Sequence, residues 1–226
     1  MRTVIFDLDG TLADTSGDLL AAANACFRGL GLGDLLGPAD APTALRGGRA
    51  MLRLGLARAG RADEAEVDRQ YPILLQCYED AICRTTTLYP GAAEAVVRLR
   101  RAGWRTGICT NKPERLSILL LDALGVLHLF DSLVGADTLP VRKPDPAPLR
   151  AAVAWAGGCL ESACLIGDTR TDWDCARAAG VPCLLVGFGP DPMEAARLGA
   201  PVLRSFDGLE AALDALGRPL HSAALA

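Results

Sequence analysis

The sequence predicts an α/β fold in which a parallel sheet is wrapped by helices and a separate all-helical subdomain is inserted near the start of the chain. Three observations predict it. From about residue 86 onward, short apolar runs alternate with stretches of helical spacing, the punctuation of βαβ units. A single continuously apolar run, Thr3 to Phe6, stands alone at the N-terminus. Between about residues 15 and 84 no convincing strand occurs, only helical patterns.

Taken in order, Thr3-Val4-Ile5-Phe6 reads as a strand buried on both faces, because it lacks the polar alternation of a half-exposed one. Asp18 to Leu30, Ala50 to Ala59 and Ala65 to Cys83 read as helices, with Pro72 expected to kink the last. Placed directly after the first strand, this block is expected to close over the sheet's carboxyl edge as a cap. Ala92 to Arg101 carries Val96 and Leu99 at i,i+3, and Glu114 to Leu124 carries Leu116, Leu119, Leu120 and Ala123 on one helical face. Trp104 to Thr110, Ser132 to Val134, Ala163 to Ile166 and Val181 to Val186 read as strands of a parallel sheet, with crossover helices on both faces. The expected division is a core of 1–14 and 85–226 with a cap of 15–84. The tail after about Gly217 is expected to be loosely ordered.

Composition limits the function. The chain has 226 residues, half of them hydrophobic, and a formal net charge of -4. That is enough to bury a full core, and it excludes disorder and small disulfide scaffolds. A sequence pI near 5.2 offers no basic footprint for a nucleic acid or an anionic membrane. The first apolar run is cut short by Asp7, and no run approaches a spanning length, so a cytoplasmic protein, monomer or homodimer, is expected. The eight cysteines form no C-x-x-C pair and read as small buried thiols. His128 and His221 carry no motif and read as surface or core filler. Of 23 basic residues, 21 are arginine, and the two lysines are Lys112 and Lys143. A lysine that persists against that bias suits a task needing a compact ammonium, such as a point contact with a phosphoryl oxygen.

Four segments at strand ends carry chemistry, at the edge where open α/β sheets bind ligands. In Asp7-Leu8-Asp9-Gly10-Thr11, alternation puts two carboxylates on one side, an arrangement that suits a bound cation or a shared proton. A calcium loop does not fit, because glycine is fourth and a strand precedes. Cys109-Thr110-Asn111-Lys112-Pro113 offers hydroxyl and amide groups at a helix start, suited to an anion or simply to capping. Arg142-Lys143-Pro144-Asp145-Pro146 holds Lys143 in a stiffened turn, with Asp145 and Pro146 as cap and first residue of the next helix. In Gly167-Asp168-Thr169-Arg170-Thr171-Asp172, the two aspartates face one cation, directly and through water, or cap a helix. Each segment alone reads equally as a turn or cap. Together they bring four carboxylates, a lysine and a Thr-Asn helix start to one edge, a set able to clamp Mg²⁺ and a phosphoryl group.

With FDLDGTLADT, TNKP, RKPDPAPL and GDTRTDWDCARAAGVP in this order over nearly the whole chain, the sequence resembles the haloacid dehalogenase superfamily and, within it, the phosphoglycolate phosphatase-like group. The resemblance implies a Rossmann-like core, a helical cap after the first strand, and Mg²⁺-dependent hydrolysis of a small phosphorylated metabolite, most closely 2-phosphoglycolate, through an aspartyl-phosphate. Carried onto this chain, it makes Asp7 the nucleophile and Asp9 the general acid and base. It assigns the metal to Asp7, the Asp9 backbone carbonyl and Asp168, with Asp172 in an outer layer. It gives Thr110, Asn111 and Lys143 to the phosphoryl oxygens, with Lys112 ranked behind them.

The relatives differ in testable ways. Dehalogenases of the superfamily lack an aspartate at the Asp9 position, and phosphonatases need a cap lysine that this chain lacks. A β-phosphoglucomutase-like phosphotransferase and a broad-range sugar or nucleotide phosphatase remain open. A non-catalytic relative is expected to have lost Asp7, Asp9, Lys143 or Asp168, and all four are present. In the cap, Arg46-Gly47-Gly48-Arg49 is the segment suited to approach a ligand, with Arg46 or Arg49 facing a substrate carboxylate or else a solvated loop.

Overall fold

The structure is a computed structural model and describes residues 2–216; His221 and the expected loose tail lie outside them. Its centre is β1 (Thr3–Phe6), whose backbone pairs in parallel with β4 (Arg105–Cys109) on one side and β6 (Ala163–Gly167) on the other. With β5 (Ser132–Val134), β7 (Cys183–Val186) and β8 (Val202–Leu203) the sheet has, among the described residues, six strands, all parallel, in the order β5-β4-β1-β6-β7-β8.

The period-2 rule builds a core on each face of this sheet. Val4 and Phe6 point into one cluster with Ile108, Ile166, Leu184 and Val186, while Ile5 points into the other with Cys109, Leu165 and Leu185. The first cluster is closed by α5 (Ala92–Arg101), α6 (Glu114–Ala123) and α10 (Leu209–Leu216). The second is closed by α7 (Ala147–Trp155), α8 (Arg170–Ala179) and α9 (Glu194–Leu198). Each large apolar side chain removed from water in these layers contributes about 1.5–3 kcal/mol, so the residues flanking β1 set the register on which the site depends.

A third cluster belongs to the helical block: α1 (Ser16–Gly29), α2 (Ala41–Ala44), α3 (Gly48–Arg58) and α4 (Glu64–Asp80). Leu19, Phe27, Leu52, Leu56, Val67, Leu74 and Tyr78 bury one another there. Gly55 on α3 permits the close packing, because a Cβ at that position would sit 2.2 Å from the Phe27 ring. Leu116, on α6 of the sheet layer, is buried in the same cluster, which joins the block to the sheet's carboxyl edge. Helix α4 continues as one helix through Pro72.

The chain enters and leaves the block through β2 (Ala13–Asp14) and β3 (Thr87–Leu88), an antiparallel pair just outside the stretch read as strand-free. Asp18 on α1 reinforces this double crossing by accepting from the backbone N–H and hydroxyl of both Thr85 and Thr86. The cysteines are all free, but not uniformly buried: Cys77 and Cys83 are half-buried and Cys159 is exposed, contrary to the reading of all eight as buried thiols. Cys159 precedes a short 3-10 turn, Leu160–Ser162, where the chain approaches β6 over the surface. His128 is exposed, as expected of a residue with no motif.

Candidate active site

The ends of β1, β4 and β6 and the loop before α7 meet at one edge. Past Phe6 the chain turns sharply, with the Leu8 carbonyl accepting from the N–H groups of Thr11, Leu12 and Ala13, and Gly10 takes φ 81°, a left-handed conformation that favours glycine. A Cβ at Gly10 would lie 2.5 Å from Asp168 Oδ2 and 2.5 Å from Leu45 Cδ1. The turn is therefore squeezed between the β6 loop and the helical block.

At the centre is the Lys143 ammonium, its side chain only 2% exposed, 3.1 Å from Asp7 Oδ1 and 2.5 Å from Asp172 Oδ1. Its backbone carbonyl accepts from Asn111 Nδ2, which ties the Lys143 loop to the end of β4. Burial alone would lower the lysine's pKa, but the carboxylates of Asp172 and Asp7 more than reverse this and hold it well above the ordinary value. Asp172 is fully buried, and its other oxygen accepts from the Thr169 N–H and hydroxyl and from the Asp168 N–H. One side chain thus caps α8, which is one of the two sequence readings of Asp172, and also holds the lysine.

Asp7, Asp168 and Asp172 are all buried, and one carboxylate oxygen from each lies within 4.8 Å of the others. Burial pushes the Asp7 carboxyl up to about 6, with the charges of Asp172 and Asp9 adding to the rise and Lys143 opposing it. Burial, together with the charges of Asp172 and Asp7, drives Asp168 well above the usual carboxylate range, although the Thr11 hydroxyl donates to it. Among the described residues Asp7 Oδ1 accepts no hydrogen bond; its contact with Lys143 is ionic, without hydrogen-bond alignment. A hard divalent cation fits this donor set, because it would neutralise charge that one ammonium leaves uncompensated and would be bound by oxygens alone.

Thr110 and Asn111 follow β4. Thr110 is buried, and its hydroxyl oxygen accepts from the Lys112 N–H, which leaves its own proton to donate. Helix α7 starts one position later than expected: Pro146 is its N-cap residue, and Asp145, one residue further out, accepts from the Ala147 N–H. Asp9 is engaged by Lys112, whose Nζ lies 3.0 and 3.2 Å from its two carboxylate oxygens. Lys112 had been ranked behind the other site residues. The scarcity of lysine was the signal for it, since both lysines of the chain lie buried at this edge.

The structure does not bring Arg49 into contact with the core groups. Its guanidinium donates to Asp68 and lies 4.5 Å from the centroid of the Tyr71 ring, all within the helical block. Arg46 is exposed.

A family model described as haloacid dehalogenase-like hydrolase matches residues 4–186, and the chain belongs to that family. A phosphoglycolate phosphatase of Mesorhizobium japonicum is 40% identical over 82% of this chain and 82% of its own length. One of Caulobacter vibrioides is 41% identical over 90% of this chain and 87% of its own. Among solved structures, CbbY from Rhodobacter sphaeroides in complex with phosphate superposes with a TM-score of 0.75 at 25% identity, covering 95% of this chain and 99% of that one. Within its family the chain is a phosphatase of the phosphoglycolate phosphatase-like group. Among the described residues no helix is long and apolar enough to cross a membrane.

Proposed function

We propose that the chain is a Mg²⁺-dependent hydrolase of small phosphate monoesters, acting through an aspartyl-phosphate on Asp7, with 2-phosphoglycolate as the best candidate substrate. The observation that carries the reading is the buried cluster of Asp7, Asp168 and Asp172 around the Lys143 ammonium at the sheet's carboxyl edge. The named relatives point to the same substrate.

Mg²⁺ would be held by the carboxylates of Asp7 and Asp168 and the Asp9 carbonyl, with Asp172 behind them. When bound it supplies positive charge to a phosphoryl oxygen and to the attacking carboxylate. In the first step an Asp7 oxygen attacks phosphorus, the phosphorus–alkoxide bond breaks, and Asp9 donates a proton to the departing oxygen. Lys143 and the Thr110 hydroxyl hold the equatorial oxygens, where charge accumulates. In the second step Asp9 takes a proton from water as that water attacks phosphorus. Inorganic phosphate leaves and Asp7 returns as a carboxylate.

In this reading residues 15–84 form the cap over a core of 1–14 and 85–226. Leu45 abuts the Gly10 turn, and its nearness supports assigning recognition of the substrate's acid end to the following Arg46-Gly47-Gly48-Arg49 segment. For Arg49 this requires exchanging Asp68 for the substrate, which an exposed pair allows at little cost.

The test is phosphate release from a panel containing 2-phosphoglycolate, sugar phosphates and nucleotides, with and without Mg²⁺. A strong Mg²⁺-dependent preference for 2-phosphoglycolate is expected. Activity spread evenly over the panel withdraws the substrate, and activity without any divalent cation overturns the mechanism. Arg49→Ala is expected to raise KM for carboxylated substrates only; an unchanged KM removes Arg49 from the site.

A further inference from the structure

Lys112 is the buried charge at this edge for which the reaction above has no use. Its side chain is 3% exposed, and its Nζ reaches both oxygens of Asp9, at 3.0 and 3.2 Å. The same nitrogen lies 4.1 Å from the centroid of the Tyr78 ring, which α4 of the helical block supplies. Tyr78 is 1% exposed and its hydroxyl has no hydrogen-bond partner among the described residues; the face of the ring, not the hydroxyl, makes the contact. The Lys112 backbone is fixed on both sides: its N–H donates to the Thr110 hydroxyl oxygen, and its carbonyl accepts from the Ala136 N–H.

We propose that Lys112 is a positioning residue that holds the Asp9 carboxylate in its productive orientation, and that Tyr78 from the helical block seats the ammonium for that purpose. The assignment rests on the reading of Asp9 as the group that protonates the leaving alkoxide. Asp9 has the more exposed side chain of the first pair, 17% against 12% for Asp7, and two rotatable bonds to fix. A single ammonium touching both oxygens fixes those bonds, while the ring face stabilises the cation from the other side without competing for the carboxylate. Proton transfer needs the donor within roughly 2.6–3.2 Å of the departing oxygen, and a misplacement of about 1 Å costs about 100-fold. The seat of the helical block on the sheet edge and the aim of Asp9 are thereby one piece of geometry.

Leaving-group dependence tests this. kcat/KM reports the steps through phosphoryl transfer to Asp7, and an alkyl leaving group needs the proton from Asp9 far more than p-nitrophenolate does. The readout is kcat/KM for 2-phosphoglycolate divided by kcat/KM for p-nitrophenyl phosphate, both measured with Mg²⁺ on one sample, so that the fraction of folded protein cancels. In Lys112→Met this ratio is expected to fall by about 10- to 100-fold, within the range a general acid contributes. Tyr78→Leu is expected to lower it by a smaller factor, and Tyr78→Phe, which keeps the ring, to restore it. Equal losses on both substrates would mean that Lys112 holds the phosphoryl group or the fold, and would overturn the assignment. A rise in the ratio would mean that the ammonium restrains the acid, with the same consequence. An unchanged ratio also overturns it. Failure of Tyr78→Phe to restore the ratio removes the ring from the proposal. A parent protein inactive on both esters overturns the hydrolase reading itself, which separates that failure from this one.

Discussion

Replacing Asp18 by alanine tests whether the double crossing between sheet and helical block is held by a single carboxylate. Asp18 is 5% exposed and accepts from four donors just ahead of the returning strand β3: the Thr85 N–H and hydroxyl, at 3.0 and 2.7 Å, and the Thr86 N–H and hydroxyl, also at 3.0 and 2.7 Å. Hydrogen bonds to a charged group contribute about 1.5–3 kcal/mol each when measured singly, but four sharing one carboxylate do not add. The two hydroxyls can rotate toward other acceptors, which leaves chiefly two backbone N–H groups without a partner. The expected loss is about 3 kcal/mol, or roughly 6–12 °C in Tm for a chain of this size. The hydrogen bonds also give the effect a sign in pH. Burial would raise the Asp18 pKa, but the donors from Thr85 and Thr86 outweigh it and leave the folded-state value below the ordinary 3.8 of an unfolded aspartate. The carboxylate therefore stabilises the fold fully above that unfolded value, and the contribution is lost as pH falls through the lowered folded value. Urea unfolding followed by circular dichroism should show parent and Asp18→Ala separated by a constant gap from pH 7 to about pH 5, narrowing below about pH 4. A gap under about 0.5 kcal/mol, or one that does not change at acid pH, refutes the reasoning.

The other substitutions act at the site itself. Asp7→Asn removes the attacking oxygen's charge while keeping its shape, so turnover should fall at least about 1,000-fold with an unchanged circular dichroism spectrum; substantial residual turnover removes Asp7 as nucleophile. Asp172→Ala takes from Lys143 its shortest contact and from α8 its cap, and should cost about 3–5 kcal/mol in urea unfolding, the range for breaking a buried ion pair. Gly10→Ala forces a side chain into a left-handed turn and against Asp168, so Mg²⁺ affinity, read by isothermal titration, should drop at least about 10-fold, a loss of about 1.4 kcal/mol.

What was legible in the sequence followed from pattern length. β1, β5 and α5 were read with the bounds the structure gives, because each is a self-contained run with one periodicity. β2 and β3 were missed because a two-residue pair has no period to detect; its partner is some 70 residues away, and only the tertiary fold brings the strands together. β8 and α9 were missed for a related reason: both are short, and the stretch from Gly187 to Pro201 is rich in Gly and Pro. Asp7, Asp9, Thr110, Asn111, Asp168 and Asp172 could be placed at one edge from the sequence because each lies just past a strand end or in the first turn of a helix, and Lys143 because it stands in a Pro-rich turn ahead of one. The pairing of Lys112 with Asp9 was not legible, because 103 residues separate them and a third partner, Tyr78, comes from the helical block.

The arginine bias leads to one more prediction, about charge that is not interchangeable. Wherever the chain needs an exposed cation it uses arginine, as in the pairs Arg53 with Glu64, Arg69 with Glu66 and Arg115 with Glu79. Such exposed pairs contribute about 0–1 kcal/mol, and either cation serves. Lys143 differs because its Nζ occupies a slot between Asp7 and Asp172, at 3.1 and 2.5 Å, with 2% of its side chain exposed. A guanidinium is planar and broader, and its charge is spread over three nitrogens, so it cannot sit 2.5–3.1 Å from both carboxylates without spreading them. Lys143→Arg should therefore preserve net charge yet reduce kcat by about 100-fold, the scale of a misplacement near 1 Å, whereas Arg115→Lys should leave kcat and stability within error. The assay is steady-state phosphate release with Mg²⁺, alongside thermal unfolding of both variants. Full activity in Lys143→Arg would mean that positive charge alone suffices at this position, and the geometric argument for the lysine would fall.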